Sequence, residues 1–436
     1  MSQDLSTLYE VLKETLSGRS DVWVVGGTVR DILMGLKQKD IDIALPGDNP
    51  YAEAGMFADK IRGTFVKLND KFKTVRIVKG GYYFDFTSFR GNTIEDDLLQ
   101  RDFTINAMAF PLHKGVESLV DVTSGYKDLK NGLIKMVSIK NLDDDPLRML
   151  RAFRFMAELG FNIDDPTAQA IMQLKKLIAN VPAERVIFEL KEMTRAKNSS
   201  VAVSQMNQCG LLAEVFFEME NTNVDFANTT SLYLEVESII NRNPDTRFTT
   251  ELNSYITGVP HRLPFLKLSA LFCAAELSAD AALDICMRLK TSADEAVFLH
   301  KILKHHGAAL NVYKSGMKTD MAVRFLLDMG DDFIASLVLT LAELYLNSDD
   351  TRRFTLFCDE ITIFYLETYL PRLMAGHFIT GHDLIETFGL KPSPLFSRIL
   401  GQVQAMALEG SISKRSEALS AVEDILSKTD QESLCV

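Results

Sequence analysis

Residues 24–45, VVGGTVRDILMGLKQKDIDIAL, constrain this chain more than any other stretch. A hydrophobic strand over 22–25 runs into Gly26-Gly27 and then a short amphipathic helix. The chain returns as a second strand carrying Asp40 and Asp42 with one residue between them. Residues two apart on a strand point to the same face, so the two carboxylates sit side by side. Two glycines at a helix start let backbone N–H groups approach an anion without Cβ obstruction. Paired carboxylates beside such a turn point to a divalent metal and a nucleoside triphosphate.

The surroundings read as a small α/β portion. Leu5, Leu8, Leu12 and Leu16 recur at helical spacing over 1–17, and 50–61 is a second helix. Strands are expected at 64–68, 74–78 and 82–89, the last two joined by a Gly80-Gly81 hairpin turn. Asp85 is a lone acid in an aromatic strand: either an edge carboxylate facing water or a third carboxylate near the metal. Residues 93–109 read as one helix, with Thr93 and Asp96 as a near capping box. Strands at 119–122 and 133–137 close this portion. From 138 onward helical periodicity is broken only by short loops. The expected fold class is α+β: a small mixed sheet with helices, followed by an extended all-α remainder.

At 436 residues the chain exceeds one compact core. Five cysteines lie scattered without CxxC or Cys/His spacing, which predicts reduced thiols and no zinc site in a cytoplasmic protein. The apolar run 333–346 is interrupted by Glu343 and too short for a bilayer, and the polar N-terminus lacks a signal-peptide core, so no membrane partner is expected. A net charge of −12 argues against indiscriminate coating of nucleic acid but leaves room for a local basic groove.

The junction between the two portions reads Asp143-Asp144-Asp145-Pro146-Leu147-Arg148-Met149-Leu150-Arg151-Ala152-Phe153-Arg154. Acids before a proline suit a helix start, and Arg148 and Arg151 fall one turn apart. Three segments in this order resemble one family. Gly26-Gly27-x-x-Arg30-Asp31 with Asp40-x-Asp42 resembles the polymerase-β nucleotidyltransferase signature. Together with Arg101-Asp102-Phe103-Thr104-x-Asn106-Ala107 and Asp145-Pro146-Leu147-Arg148-Met149-x-Arg151-Ala152, it resembles the class II tRNA nucleotidyltransferases. These are the CCA-adding enzymes and the bacterial poly(A) polymerases that share their head and neck. Ala183-Glu184-Arg185-Val186-x-x-Glu189-Leu190 looks like the family's neck. Thr380-Gly381-His382-Asp383 and Gly389-Leu390-Lys391-Pro392 look like its tail.

The resemblance implies a polymerase-β-like catalytic head over 1–137, a base-selecting helical neck over 138–200, a body over 201–320 and a tRNA-binding tail over 321–436. Phosphoryl transfer needs charge neutralisation and alignment of a 3′-hydroxyl with the α-phosphorus, work that two Mg2+ ions held by carboxylates perform. Asp40 and Asp42 fall to the metals, and Asp85 to a third carboxylate near the primer hydroxyl. Gly26, Gly27 and Arg30 fall to the triphosphate. Arg101 and Asp102 match the element that contacts the nucleotide sugar, Asn106 continues it chiefly as helix support, and Arg151 and Arg154 extend the nucleotide-binding helix. Asp145 and Arg148 form a protein template. A carboxylate accepts from an exocyclic amino group and a guanidinium donates to ring nitrogen and carbonyl, so the pair selects C and A and rejects U and G.

Three departures from the family pattern matter. Gln100 stands where an Arg is usual, and Asp144 where Glu is usual. Only Gly91-Asn92-Thr93-Ile94 separate Arg90 from Glu95, where members that complete the CCA end carry a longer flexible loop. A shortened loop resembles the CC-adding members, which use CTP and leave adenosine to a separate A-adding enzyme. The alternatives are full CCA addition from CTP and ATP, poly(A) polymerisation, and an inactive RNA-binding protein. The helical body and tail are expected to measure the acceptor stem and T-loop region of tRNA, with Lys391 as an RNA contact and Arg288, Lys290, Lys301, Lys304, Lys414 and Arg415 as further cations. Residues 268–275 lack the His-Asp pair of some relatives, so no phosphohydrolase activity is expected, and His305-His306 read as a helix end.

Overall fold

A seven-stranded mixed sheet organises the first part of the chain. The structure, a computed structural model, describes residues 3–47, 49–69, 74–221, 226–242, 246–347 and 351–433. These fall into two compact units, Met1–Phe217 and Glu218–Val436.

In the first unit, α1 (Gln3–Thr15) precedes β1 (Trp23–Val25), α2 (Gly27–Leu33), β2 (Asp40–Leu45) and α3 (Tyr51–Ile61). Then come β3 (Thr64–Asn69), β4 (Thr74–Lys79), β5 (Tyr82–Ser88), α4 (Ile94–Leu99), β6 (Met108–Pro111) and β7 (Val120–Asp121). The sheet order is β3-β4-β5-β2-β1-β6-β7. Only β2 and β5 run parallel; the other neighbours are antiparallel. Gly80 and Gly81 both take positive φ, 59° and 81°, as a two-residue hairpin turn demands. Phe57 of α3 packs edge-on against Phe84 of β5 at 4.9 Å, sealing one face of the sheet.

The helix expected over 93–109 is corrected. Thr93 and Asp96 do form a capping box, but α4 ends at Leu99 and Gln100 leaves helical geometry. A 3-10 turn covers Thr104–Asn106, and Met108–Pro111 is a strand buried at every position and paired with β1. A short buried apolar run fits either period, and pairing with β1 decides for the strand. The strands expected at 119–122 and 133–137 shrink to β7 and to β8 (Leu133–Ile134), which pairs with β9 (Asn162–Ile163). Between and after these lie α5 (Gly125–Lys130), α6 (Ile139–Asp144), α7 (Leu147–Leu159), α8 (Asp165–Leu174) and α9 (Ala183–Arg195).

The second unit is helical throughout its described residues. Phe333–Leu346 is buried from Phe333 to Ala342, and no described helix is long and apolar enough to cross a membrane. Residues Ile379, Leu384, Ile399, Val403 and Val422 form a separate small core, entered through a Thr380–Asp383 capping box. Several of the further cations are engaged in ion pairs: Arg288 with Glu218, Lys301 with Asp332, Lys414 with Glu417 and Arg415 with Asp383. Lys391 is exposed. His305 caps the C-terminus of Ala293–Lys304, and His306 contacts Glu343. Cys209, Cys273, Cys286 and Cys358 are free thiols; Cys435 lies outside the described residues.

Candidate active site

The Gly-Gly turn places its glycines against the acidic strand. Gly26 has φ +69°, and a Cβ there would meet Arg101 Nη1 at 2.7 Å and Asp42 Oδ2 at 3.2 Å. Any side chain would therefore be strained and would fill the space in front of Asp42. Thr28, in the first turn of α2, accepts the Asp42 backbone N–H at 2.7 Å and lies 3.4 Å from Asp42 Oδ2. It ties the helix start to β2. The sequence reading missed it, although a hydroxyl directly after Gly-Gly and facing the returning strand was its signal.

Asp40 and Asp42 share a face of β2, and Asp85 of β5 lies beside Asp42 in the parallel register. Burial pushes both Asp40 and Asp42 above the usual carboxylate range; Asp85 adds like charge to each, while Arg76 opposes the shift on Asp40 and Arg101 that on Asp42. Asp85 receives a two-pronged ion pair from Arg76, both contacts at 2.7 Å. Arg76 also went unread, yet the Gly80-Gly81 turn pairs Lys79 with Tyr82 and hence Arg76 with Asp85.

This is an all-oxygen donor set whose charges repel, and a divalent cation between Asp40 and Asp42 would relieve that repulsion. Among the described residues no three His, Cys, Asp or Glu groups are arranged to hold a metal alone. Mg2+ bound by one or two carboxylates and completed by substrate phosphates fits that inventory.

Cations line the other side. Arg101 reaches back to Asp97, Nε and Nη2 both bonding Oδ2 at 2.9 and 2.7 Å, while its Nη1 hangs over Gly26. Arg90 lies nearby, its Nη1 donating to the Gln100 carbonyl at 3.4 Å. Arg148 Nη2 donates to the same carbonyl at 3.0 Å and Nη1 to Asn141 O at 3.1 Å. Burial and the like charges of Arg101 and Arg148 push the Arg90 guanidinium down to about 10, and burial lowers Arg148 as well. Both stay charged at neutral pH, and the crowding of three guanidiniums suits an incoming polyanion.

Behind this patch runs a ladder of buried pairs. Arg30 bonds Asp31 and Asn106, Asn106 bonds Asp102, and Asp102 accepts from Arg151 Nε at 2.9 Å. Arg151 and Arg154 both reach Glu189 of α9, at 3.4 and 2.6 Å. The Phe155 ring carries Arg30, Arg151 and Arg154 at 5.2, 5.1 and 4.4 Å. Arg30 and Arg154 thus spend their charge on this ladder in the free protein. Asn106 bridges Arg30 to Asp102 from a 3-10 turn rather than supporting a helix. The role of Glu189 is not legible in the sequence, since its partners are fixed only when α9 packs on α7.

Burial alone would raise Asp102, but Arg151, Arg148, the Phe103 N–H and Asn106 outweigh it and hold it far below the usual carboxylate range. A depressed folded value contributes stability above the unfolded value and loses it as pH falls through the folded one. Asp102→Asn is therefore expected to cost about 2 kcal/mol at pH 7, the worth of hydrogen bonds to a charged group. Urea unfolding would show that gap narrowing once pH falls below about 4.

Asp145 and Arg148 sit together where α6 ends and α7 begins, Asp145 as the α6 C-cap. The Asp145 carboxylate takes a bond from Arg185 Nη2 of α9 at 3.0 Å. Asp40, Asp42, Asp85, Gly26, Gly27 and Arg101 are thus gathered at one end of the sheet. Arg148 meets Arg90 through the Gln100 carbonyl, and Arg151 joins through Asp102. Lys391 belongs to the other unit.

The sequence profile described as "Poly A polymerase head domain" matches residues 22–93 and 90–135. One described as "Probable RNA and SrmB- binding site of polymerase A" matches 160–222. A CC-adding tRNA nucleotidyltransferase of Synechocystis sp. is 30% identical over 406 residues, 92% of this chain and 93% of that protein. An A-adding tRNA nucleotidyltransferase of Halalkalibacterium halodurans is 28% identical over 422 residues, covering 92% and 88%. Among solved structures, a CCA-adding enzyme in complex with ATP has a TM-score of 0.72 at 23% identity, covering 99% of this chain and 95% of that one. The Thermotoga maritima CCA-adding enzyme complexed with tRNA has a TM-score of 0.65 at 22% identity, covering 98% and 96%.

Proposed function

Because this chain belongs to the class II tRNA nucleotidyltransferases, we propose that it adds two cytidines from CTP to the 3′ end of tRNA and stops there. The observation that carries the stop is the turn between β5 and α4. Only residues 89–93 lie there. Arg90 N bonds Asp97 Oδ1 at 3.1 Å, and Asn92 N and Thr93 N both bond Asp96 Oδ2, at 3.1 and 3.2 Å. Gln100 Nε2 bonds the Arg90 carbonyl and, at 3.2 Å, the Asp96 carbonyl. A Cβ on Gly91 would meet Asp96 Cβ at 2.5 Å. Gln100, in the place of the usual Arg, thus clamps the short turn onto α4. A turn so pinned has no slack with which to reshape the base pocket from cytosine to adenine.

In this reading Asp40 and Asp42 hold Mg2+, which supplies charge neutralisation for the triphosphate and the leaving pyrophosphate. The backbone at Gly26 and Gly27 and the Arg101 guanidinium receive the triphosphate. Asp85, oriented by the two-pronged pair with Arg76, accepts from the primer hydroxyl. Asp145 and Arg148 read the base: Asp145 accepts from the N4 amino group, and Arg148 donates to N3 and O2. Arg151 orients through Asp102 rather than by touching the base, and Arg154 through Glu189. The exposed Lys391 and the helical second unit serve the acceptor stem and T-loop region of tRNA. A separate enzyme then supplies the terminal adenosine.

The test offers tRNA lacking its 3′ CCA together with CTP, ATP and Mg2+, and sequences the product ends. The reading expects termination after two cytidines. A completed CCA end would establish the full enzyme, and a long adenosine tail on unrelated RNA the poly(A) polymerase. No incorporation at all would leave the RNA-binding alternative.

A further inference from the structure

Arg185 makes the one side-chain hydrogen bond that the Asp145 carboxylate receives among the described residues. It sits in the first turn of α9, one turn before Glu189, so a single face of α9 meets α7 and its entrance at two charged points. The contact is single-pronged, from Nη2 to Oδ2 at 3.0 Å, and leaves Oδ1 open. Both side chains are partly in water, 49% and 30% exposed, where an ion pair adds little to stability. Its effect is on orientation. The terminal torsion of an aspartate is broad and roughly two-fold, so an untethered carboxylate samples many planes. The Asp145 backbone is held on both sides, its N–H by the Asn141 carbonyl at 3.4 Å and its own carbonyl by the Arg148 N–H at 3.0 Å, so the freedom that Arg185 removes is that of the carboxylate plane.

We propose that Arg185 is a specificity-determining positioning residue: by holding Oδ2 of Asp145 it presents Oδ1 as a fixed acceptor to the exocyclic amino group of the incoming base. This rests on Asp145 as the base reader. Arg185 touches neither base nor phosphate in this scheme. Its loss leaves the metal carboxylates and the triphosphate cradle in place, and frees Asp145 to turn away from an amino group or to tolerate a carbonyl.

The experiment measures kcat/KM for CTP and for UTP on tRNA lacking its 3′ CCA, using the full chain and its Arg185→Met, Arg185→Lys and Asp145→Asn variants, with melting temperatures alongside. Arg185→Met is expected to lower the CTP:UTP ratio about tenfold, within the range a good base contact supplies. Its melting temperature should stay unchanged, and Arg185→Lys should recover most of the ratio. A merely structural pair would alter stability or overall rate and leave the ratio alone. A wild-type ratio in Arg185→Met with a lost ratio in Asp145→Asn overturns the role of Arg185 while keeping the base reader. A ratio kept in both overturns the two together. A ratio lost in Arg185→Met but kept in Asp145→Asn contradicts action through Asp145.

Discussion

Asp42→Asn is expected to lower nucleotide incorporation by about a thousandfold or more while leaving the fold intact. The rate effect follows from removing one of the two carboxylates proposed to hold the charge-neutralising metal, a loss of several kcal/mol of transition-state stabilisation at about 1.4 kcal/mol per decade. The stability effect runs the other way. Burial raises Asp42 above its ordinary range, with Asp85 and Asp40 adding to the shift. A carboxylate whose folded value is raised costs stability when ionised, and that cost disappears as pH falls through the folded value. Asparagine removes the charge and keeps an oxygen near Thr28, so the melting temperature in chelator should not fall. Wild-type protein should gain thermal stability on addition of Mg2+, and Asp42→Asn should gain much less. Equal Mg2+ stabilisation of both proteins would contradict the metal assignment even if activity were lost.

Arg148→Ala should relax base choice far more than it weakens triphosphate binding. Discrimination of CTP over UTP should fall about tenfold to a hundredfold, the range for a two-pronged base contact, while inhibition by pyrophosphate stays within about threefold. The side chain also bonds the Gln100 and Asn141 carbonyls, so a stability loss of about 1 kcal/mol should accompany it. Arg148→Lys restores charge without the planar fork and should not recover discrimination. Unchanged CTP:UTP ratios in Arg148→Ala would remove this residue from the template.

What the sequence made legible follows the range of the interactions. The Gly-Gly turn, the Asp40–Asp42 pair, the Gly80-Gly81 hairpin and the Thr93 cap are local, and periodicity or turn chemistry exposes them. The helix expected over 93–109 ends at Leu99, and the apolar run at its far end carries no period of its own, so β1 supplies the answer there from a distance in sequence. The Arg76–Asp85 pair was available from hairpin register and was overlooked. The contacts of Arg185 and Glu189 were not available. Their partners lie 35 to 40 residues away and meet them only through the packing of α9 on α7. Likewise Arg30 and Arg154 read as nucleotide-binding cations in sequence, and the fold commits them to Asn106, Glu189 and Phe155.

The proposed stop after two cytidines rests on the pinned turn at 89–93. The most direct measurement offers tRNA already ending in CC to the protein with ATP and Mg2+ alone, and compares the rate of adenosine addition with that of cytidine addition to tRNA lacking all three residues. The account predicts cytidine addition and no adenosine addition on this primer. Adenosine added at a rate comparable to cytidine would contradict it.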